Sequence, residues 1–290
     1  MLRPRDARPD DVLDLVVQAP ALVREDVEML AALTQAEDVE TLSRASNEAY
    51  RLHAVASTSG IAEAASTAGY DVALVPASRR LDRVKVVAMD MDSTLITIEC
   101  VDEIADARGI KAQVAAITTS AMRGEIDFAD SLRQRVALLA GLPLDALQGV
   151  YSDRLRLSPG AERMLEAFKA AGAKTLLVSG GFTYFTDRLR ARLGFDGTAS
   201  NVLEVIGGRL TGTILGDIVD ARRKADALRA MALKHAADGI VVAIGDGAND
   251  LPMLDAADVS VAYRAKPVVR ERASHAIDHC GLDAVLNLFV

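Results

Sequence analysis

The chain has 290 residues, 50% of them hydrophobic, with a formal net charge of −8 and two cysteines. That length supports one large domain or two modest ones around a substantial core, and the acidic balance argues against nucleic acid, whose phosphates select Lys and Arg stripes. Cys100 and Cys280 lie in no metal-ligand spacing and fit free thiols in a reduced, cytoplasmic compartment; no apolar h-region or ~20-residue apolar run predicts a signal peptide or a membrane span.

Residues 1–11 form a charged, Pro-containing end. Val12–Val17 is a predicted strand, Leu22–Gln35 a helix, and residues 39–55 two strands around an Asn47-Glu48 turn. Ser57–Ala68 follows as a Ser-capped helix and Asp71–Val75 as a strand. This β-α-β-β-α-β order is that of a small ferredoxin-like α+β unit over residues 1–80, similar in pattern to ACT modules. Pro76–Arg83 reads as a linker.

Val84–Asp90 is a buried parallel strand by its β-branched, non-helical apolar run. Residues 102 to about 170 contain no predicted strand. Four helices are expected at Val101–Arg108, Lys111–Arg123, Asp127–Ala140 and Leu144–Leu155, with breaks at Gly109, Gly124 and Gly141-Leu142-Pro143. A further helix is expected from Pro159 to Ala170, capped by Ser158. Strand and helix then alternate: strand Lys174–Ser179, helix Phe182–Leu193, hairpin Val202–Ile214, helix Asp220–His235, strand Ile240–Gly245, helix Asn249–Ala256, strand Val259–Tyr263 and helix Lys266–Ala273. Such alternation predicts an α/β fold with a doubly wound parallel sheet.

Three strand ends carry polar clusters: Asp90-Met91-Asp92-Ser93-Thr94, Ser179-Gly180-Gly181, and Gly245-Asp246-Gly247-Ala248-Asn249-Asp250. In a parallel sheet all three tips meet at one edge. Asp90 and Asp92 would repel each other without a cation between them. With Asp246 they make an oxygen-only donor set, which favours Mg²⁺ over zinc. Ser179-Gly180-Gly181 offers an anion cradle at an expected helix start. Helix capping by Asp92 or Ser93 and plain turns at the glycines are the bland alternatives. Lys224 opposes the dipole of its helix, so stability does not explain it; charge compensation for a phosphoryl group does, yet spacing alone favours a solvated lysine beside Arg222 and Arg223. Arg133 and Arg135 read, on spacing alone, as surface charges. No Gly-x-Gly-x-x-Gly or Walker A pattern points to a nucleotide.

Asp90-Met-Asp92-Ser-Thr, Ser179-Gly-Gly, Lys224 and Gly245-Asp-Gly-Ala-Asn-Asp250, in this order, resemble the four motifs of the haloacid dehalogenase superfamily. Asp92-Ser-Thr-Leu-Ile-Thr-Ile-Glu99, Met122-Arg-Gly-Glu-Ile-Asp-Phe128, Ser131-Leu-Arg-Gln-Arg135 and Leu157-Ser-Pro-Gly160 resemble its phosphoserine phosphatase family. The likeness runs from about Val84 to the C-terminus. It implies a Rossmann-like core over 84–290 with a helical cap at about 100–157. It further implies Mg²⁺-dependent hydrolysis of O-phospho-L-serine through an aspartyl-phosphate, the last step of serine biosynthesis. Asp90 would be the nucleophile and Asp92 the general acid, then base. Asp90, the Asp92 backbone carbonyl and Asp246 would hold Mg²⁺, with Asp250 behind them. Ser179, Gly180 and Lys224 would hold phosphoryl oxygens near Asn249, Glu99 would face the substrate ammonium, Arg135 its carboxylate, and Met122 and Phe128 would close over it. A relative acting on another small phosphate ester, a phosphotransferase, and an amino-acid sensor are the competing readings. Residues 1–80 could bind serine, build a homodimer or merely pack.

Overall fold

The computed structural model describes Ala7 and residues 10–290. Its N-terminal part comprises β1 (Leu13–Ala19), α1 (Arg24–Thr34), β2 (Asp38–Leu42), β3 (Glu48–His53), α2 (Ile61–Ala68) and β4 (Asp71–Pro76). The strands form one antiparallel sheet in the order β2-β3-β1-β4, the arrangement a β-α-β-β-α-β chain reaches when both helices cover one face. Period-2 alternation divides the sheet. Leu15, Val17, Leu52 and Leu74 pack under Val27, Leu30, Ile61 and Ala65 of the helices, while Val16, Ala49, Ala73 and Val75 face the larger core. The expected Ser cap of α2 is absent: the helix starts at Gly60 with φ 76°, a conformation glycine adopts without strain, and Ser57 Oγ accepts from Ser59 N–H instead.

The second sheet has seven strands in the order β11-β10-β9-β5-β6-β7-β8. They are β5 (Val84–Asp90), β6 (Lys174–Phe182), β7 (Gly197–Ile206), β8 (Arg209–Leu215), β9 (Ile240–Gly245), β10 (Val259–Tyr263) and β11 (His275–Ile277). All neighbours are parallel except the β7–β8 hairpin. Central β5 is apolar on both faces because both are covered: Val87 and Met89 enter one core layer, Val86 and Ala88 the other. The covering helices are α7 (Ala161–Ala170), α8 (Thr183–Leu193), α9 (Ala221–His235), α10 (Leu251–Asp255) and α11 (Pro267–Arg272).

Between β5 and α7 lies a helical insertion of α3 (Cys100–Arg108), α4 (Lys111–Met122), α5 (Phe128–Ala137) and α6 (Leu144–Gly149). Its two crossings are stitched together at their root. Thr97 N–H donates to Arg156 O at 2.9 Å, Ser158 N–H to Leu95 O at 2.9 Å, and Ile96 bridges Leu157.

Three further sequence expectations are corrected. Ser158 does not cap α7; Gly160 does, with φ 78°, while the Ser158 hydroxyl donates to Thr94 O at 2.6 Å. β6 does not end at Ser179 but runs through Gly180-Gly181 to Phe182, with an irregular register that lets it bend. β7 begins at Gly197 rather than Val202, since its first half pairs with β6 and only its second half with β8. β11 and a 3₁₀ segment over Leu282–Leu288 carry no strong local signal and were not anticipated.

The two sheets meet across a buried polar seam. Arg51, fully buried, donates to Asp14 Oδ2 at 3.3 Å and to the carbonyls of Asn287 and Phe289 at 2.9 and 3.0 Å. Arg51→Ala removes the guanidinium from the buried Asp14 carboxylate, leaving it Ala54 N–H at 3.0 Å and the His53 ring at 3.4 Å, and is expected to cost about 3 kcal/mol, the lower end for breaking a buried ion pair. A shift in urea-denaturation free energy below about 1 kcal/mol would show the seam to be dispensable.

Candidate active site

β5 and β9 are neighbours, so their carboxyl ends bring Asp90 and the Asp246–Asp250 turn to one edge. The glycines there are required by close approach. A Cβ on Gly245 would lie 2.7 Å from Asp250 Cβ, and one on Gly247 2.3 Å from Asn249 Oδ1. Asp250 curls back under the turn, where Oδ2 accepts from Asp246 N–H at 3.2 Å and Gly247 N–H at 3.0 Å.

Lys224, near the start of α9, is 1% exposed. Its ammonium donates to Asp90 Oδ1 at 2.7 Å and to Asp250 Oδ1 at 2.8 Å. The surface-lysine reading is thereby excluded. Burial opposes the Lys224 charge, but Asp250 and Asp90 outweigh it and raise the ammonium's pKa above its ordinary value. Asp90 lies well above the usual carboxylate range, through burial and then the repulsion of Asp250 and Asp92 against the pull of Lys224.

Asp92 points elsewhere. Ser93 takes φ 55°, a left-handed turn uncommon outside glycine. The turn is held by Ser93 N–H on Ile98 O at 3.2 Å and by the Ser93 hydroxyl on Glu99 Oε1 at 2.7 Å. The Asp92 carboxylate accepts from Cys100 N–H at 2.8 Å and from the Ser179 hydroxyl at 3.2 Å. Burial raises its pKa in spite of these donors. A Cβ on Gly181 would stand 2.9 Å from Asp92 Oδ2 and 3.0 Å from Ser179 Oγ, so a side chain there would push both groups aside.

A cavity of about 450 Å³ opens between this edge and the cap. From the core it is lined by Asp90, Asp92, Gly180, Lys224, Asp246 and Asn249, and from the cap by Glu99, Phe128 and Arg135. Ser179 is fully buried behind it, its hydroxyl turned onto Asp92. Phe128 overhangs Gly180, its Cζ 3.1 Å from where a Cβ would stand. Met122 ends α4, and its side chain lies outside the described residues. Arg133 pairs with Asp130 at 2.8 Å on the exposed face, whereas Arg135 turns inward, so the two arginines that spacing could not separate have different fates. Burial lowers the Arg135 pKa against the attraction of Asp102 and Glu99. Glu99 opens onto the cavity but is walled by protein elsewhere; that desolvation, with the Asp92 charge, pushes its carboxyl up to about 7. Asp102, Thr118, Ser131 and Lys266 also line the cavity. Sequence reading missed them. Asp102 and Ser131, three residues after Glu99 and Phe128, follow by helical period; Thr118 and Lys266 had no such signal.

Carboxylate oxygens of Asp90, Asp246 and Asp250 lie within 4.8 Å of one another. This oxygen-only set, with Lys224 the one ammonium bonded to it among the described residues, fits a hard divalent cation. The Asp92 side chain is outside the set. The backbone turn at Ser93 thus separates two carboxylates only two residues apart.

A haloacid dehalogenase-like hydrolase family model matches residues 87–255, and a domain of unknown function matches residues 15–61. A phosphoserine phosphatase of Polaromonas sp. is 57% identical over 219 residues, covering 72% of this chain and 91% of its own. A HAD family hydrolase from Salmonella enterica serovar Typhi superposes with TM-score 0.85 at 34% identity, over 96% of this chain and 98% of its own. The unliganded probable phosphoserine phosphatase from Vibrio cholerae gives TM-score 0.82 at 35% identity, covering 99% and 87% respectively. No helix among the described residues is long and apolar enough to cross a membrane.

Asp246 is pushed up to about 6 by burial and the Asp250 charge. A proton there, or on Asp90, which is raised as well, competes with a cation, so affinity falls as pH drops through about 6, by about tenfold or more per unit. Titration calorimetry with Mg²⁺ at pH 7.5 and 5.0 checks this; equal affinities would contradict it.

Proposed function

The chain belongs to the haloacid dehalogenase-like hydrolases, and we propose that it acts as a phosphoserine phosphatase, hydrolysing O-phospho-L-serine to L-serine and phosphate. The observation that carries this reading is one cavity with two chemically different ends. Asp90 and Lys224 stand at the core end, Glu99 and Arg135 at the cap end. The first pair suits a phosphoryl group, the second an amino acid's ammonium and carboxylate.

In the proposed reaction an Asp90 carboxylate oxygen attacks phosphorus and the bond to the serine oxygen breaks, leaving an aspartyl-phosphate. Asp92 gives its proton to the departing alkoxide; its raised pKa suits a carboxyl that must carry one. Asp92 then takes a proton from the water that attacks this phosphorus; the bond from phosphorus to the Asp90 oxygen breaks, and phosphate and the free Asp90 carboxylate result. Lys224 has three N–H donors and spends two on Asp90 and Asp250, so one remains for a phosphoryl oxygen. Gly180 and Asn249 line the same end. Ser179 contributes by holding Asp92. Asp90, Asp246 and the Asp92 backbone carbonyl would hold Mg²⁺, with Asp250 supporting them. When bound, the ion supplies the positive charge that lets a dianionic ester approach a carboxylate.

Among the described residues Arg135 has no ion-pair partner, and its guanidinium donates only to Ser131 O, at 3.4 Å. A fork so placed suits bidentate carboxylate binding. Two separate sheets joined through residues 77–83 support a division into a small α+β unit over 1–80 and a catalytic unit over 84–290, capped at about 100–157.

Asp90→Asn is expected to abolish turnover with Mg²⁺ present; phosphate release at the wild-type rate would refute the nucleophile. Arg135→Ala is expected to lower kcat/KM on phosphoserine about a hundredfold, the ~3 kcal/mol of a charge-assisted pair, and to spare p-nitrophenyl phosphate. Equal losses on both substrates would remove Arg135 from carboxylate recognition.

A further inference from the structure

Asn201 takes no part in the reaction above, yet it is 1% exposed and every polar atom of its side chain amide has a use. Its Nδ2 donates to Gly180 O at 2.8 Å, and its Oδ1 accepts from Val219 N–H at 2.8 Å. It stands on β7 where pairing with β6 gives way to the hairpin with β8.

The bond to Gly180 O reaches the active site through covalent geometry. A trans peptide is planar, so fixing the Gly180 carbonyl fixes the Gly181 N–H in the opposite direction. That N–H donates to Ser179 Oγ at 2.8 Å, and the Ser179 hydroxyl donates to Asp92 Oδ2 at 3.2 Å. The Ser179 oxygen, having accepted from Gly181, has its proton left for Asp92. Both flanking residues are glycines, with no side chain to hold the peptide plane by packing. The other end of the amide grips Val219, next to Asp220, which caps α9 and whose carbonyl accepts from Lys224 N–H at 3.0 Å.

We propose that Asn201 is a positioning residue for the proton transfer: through the Gly180–Gly181 peptide and Ser179 it aims the Asp92 carboxyl at the leaving oxygen, and through Val219 it ties that peptide to the helix that carries Lys224. The inference rests on the reading of Asp92 as the acid. It predicts a loss that depends on the leaving group. Ethyl phosphate must have its alkoxide protonated; p-nitrophenyl phosphate, whose phenolate is stable, need not. Neither carries an amino acid's charges, so Arg135 and Glu99 do not enter the comparison.

The test measures kcat/KM, which reports the first phosphoryl transfer, for both esters with wild type and Asn201→Ala. The expected result is a loss of tenfold or more on ethyl phosphate, part of the ~10²–10⁴ that a general acid supplies, and less than about threefold on p-nitrophenyl phosphate. Mg²⁺ binding stoichiometry by calorimetry counts intact sites, so misfolding does not imitate the effect. Should the alanine variant not fold, Asn201→Asp is measured in the same way. It keeps the acceptor for Val219 and loses the donor to Gly180 while ionised, so its deficit on ethyl phosphate is expected to shrink as pH falls and the carboxyl regains a proton. Equal losses on both esters, or none, would overturn the positioning role. A wild-type enzyme inactive on phosphoserine would overturn the functional reading instead, and the two failures are distinct.

Discussion

A buried ammonium between two carboxylates is the constraint on which the rest of the site depends. Lys224 lies with Asp90 on one side and Asp250 on the other, all three almost wholly out of water. An unpaired buried charge costs several kcal/mol, so each of the three is tolerable only because the others are present. The fold supplies each member separately. Adjacent parallel strands deliver Asp90 and the Asp246 turn, two glycines let that turn fold tightly over Asp250, and α9 brings the lysine in from the far side. Burial first, and then the surplus of negative charge, keep Asp90 and Asp246 raised, and that surplus suits the site to a divalent cation.

Against this rigid edge stands a cap joined to the core at two places: the loop after α5 pairs with β8, where Gly141 N–H donates to Leu210 O at 2.7 Å and Leu210 N–H to Leu142 O at 2.9 Å, and the chain crossings form a root. The crossings at Leu95–Thr97 and Arg156–Ser158 are hydrogen-bonded to each other, and the Ser158 hydroxyl reaches Thr94 O. Thr94 in turn donates to Asp246 Oδ1 at 3.0 Å, so the root is fastened to the acidic cluster. Held at both places, the cap stays over the cavity, and its cover over a bound ester would exclude water while the leaving group takes its proton.

The N-terminal unit is held by chemistry as well as apolar packing. Asp71 accepts from the backbone N–H groups of Asp278, His279 and Cys280, and Asp283 accepts from Ser46 N–H at 2.7 Å. With Arg51 these contacts make a seam of buried polar groups that fits one docking geometry, since any slip would leave carboxylates and carbonyls unsatisfied.

Much of this was legible in the sequence because it is written in local chemistry. A β-branched run has one use when helices cover both faces of a sheet, and polar clusters after such runs converge at one edge of any parallel sheet, so Asp90, Asp92 and Asp246 could be assembled from pattern alone. The four motifs supplied the family. Pattern failed where the deciding partner is distant in the chain. Lys224 looks like a surface lysine until α9 buries it against Asp90, 134 positions away. Ser158 looks like a helix cap until Thr94 O claims its hydroxyl, and the contact of the Ser179 hydroxyl with Asp92, 87 positions away, has no local signal. Hydrogen-bonding capacity belongs to the residue and is visible in sequence. Which atom satisfies it is settled by burial and proximity, and only the folded chain provides those.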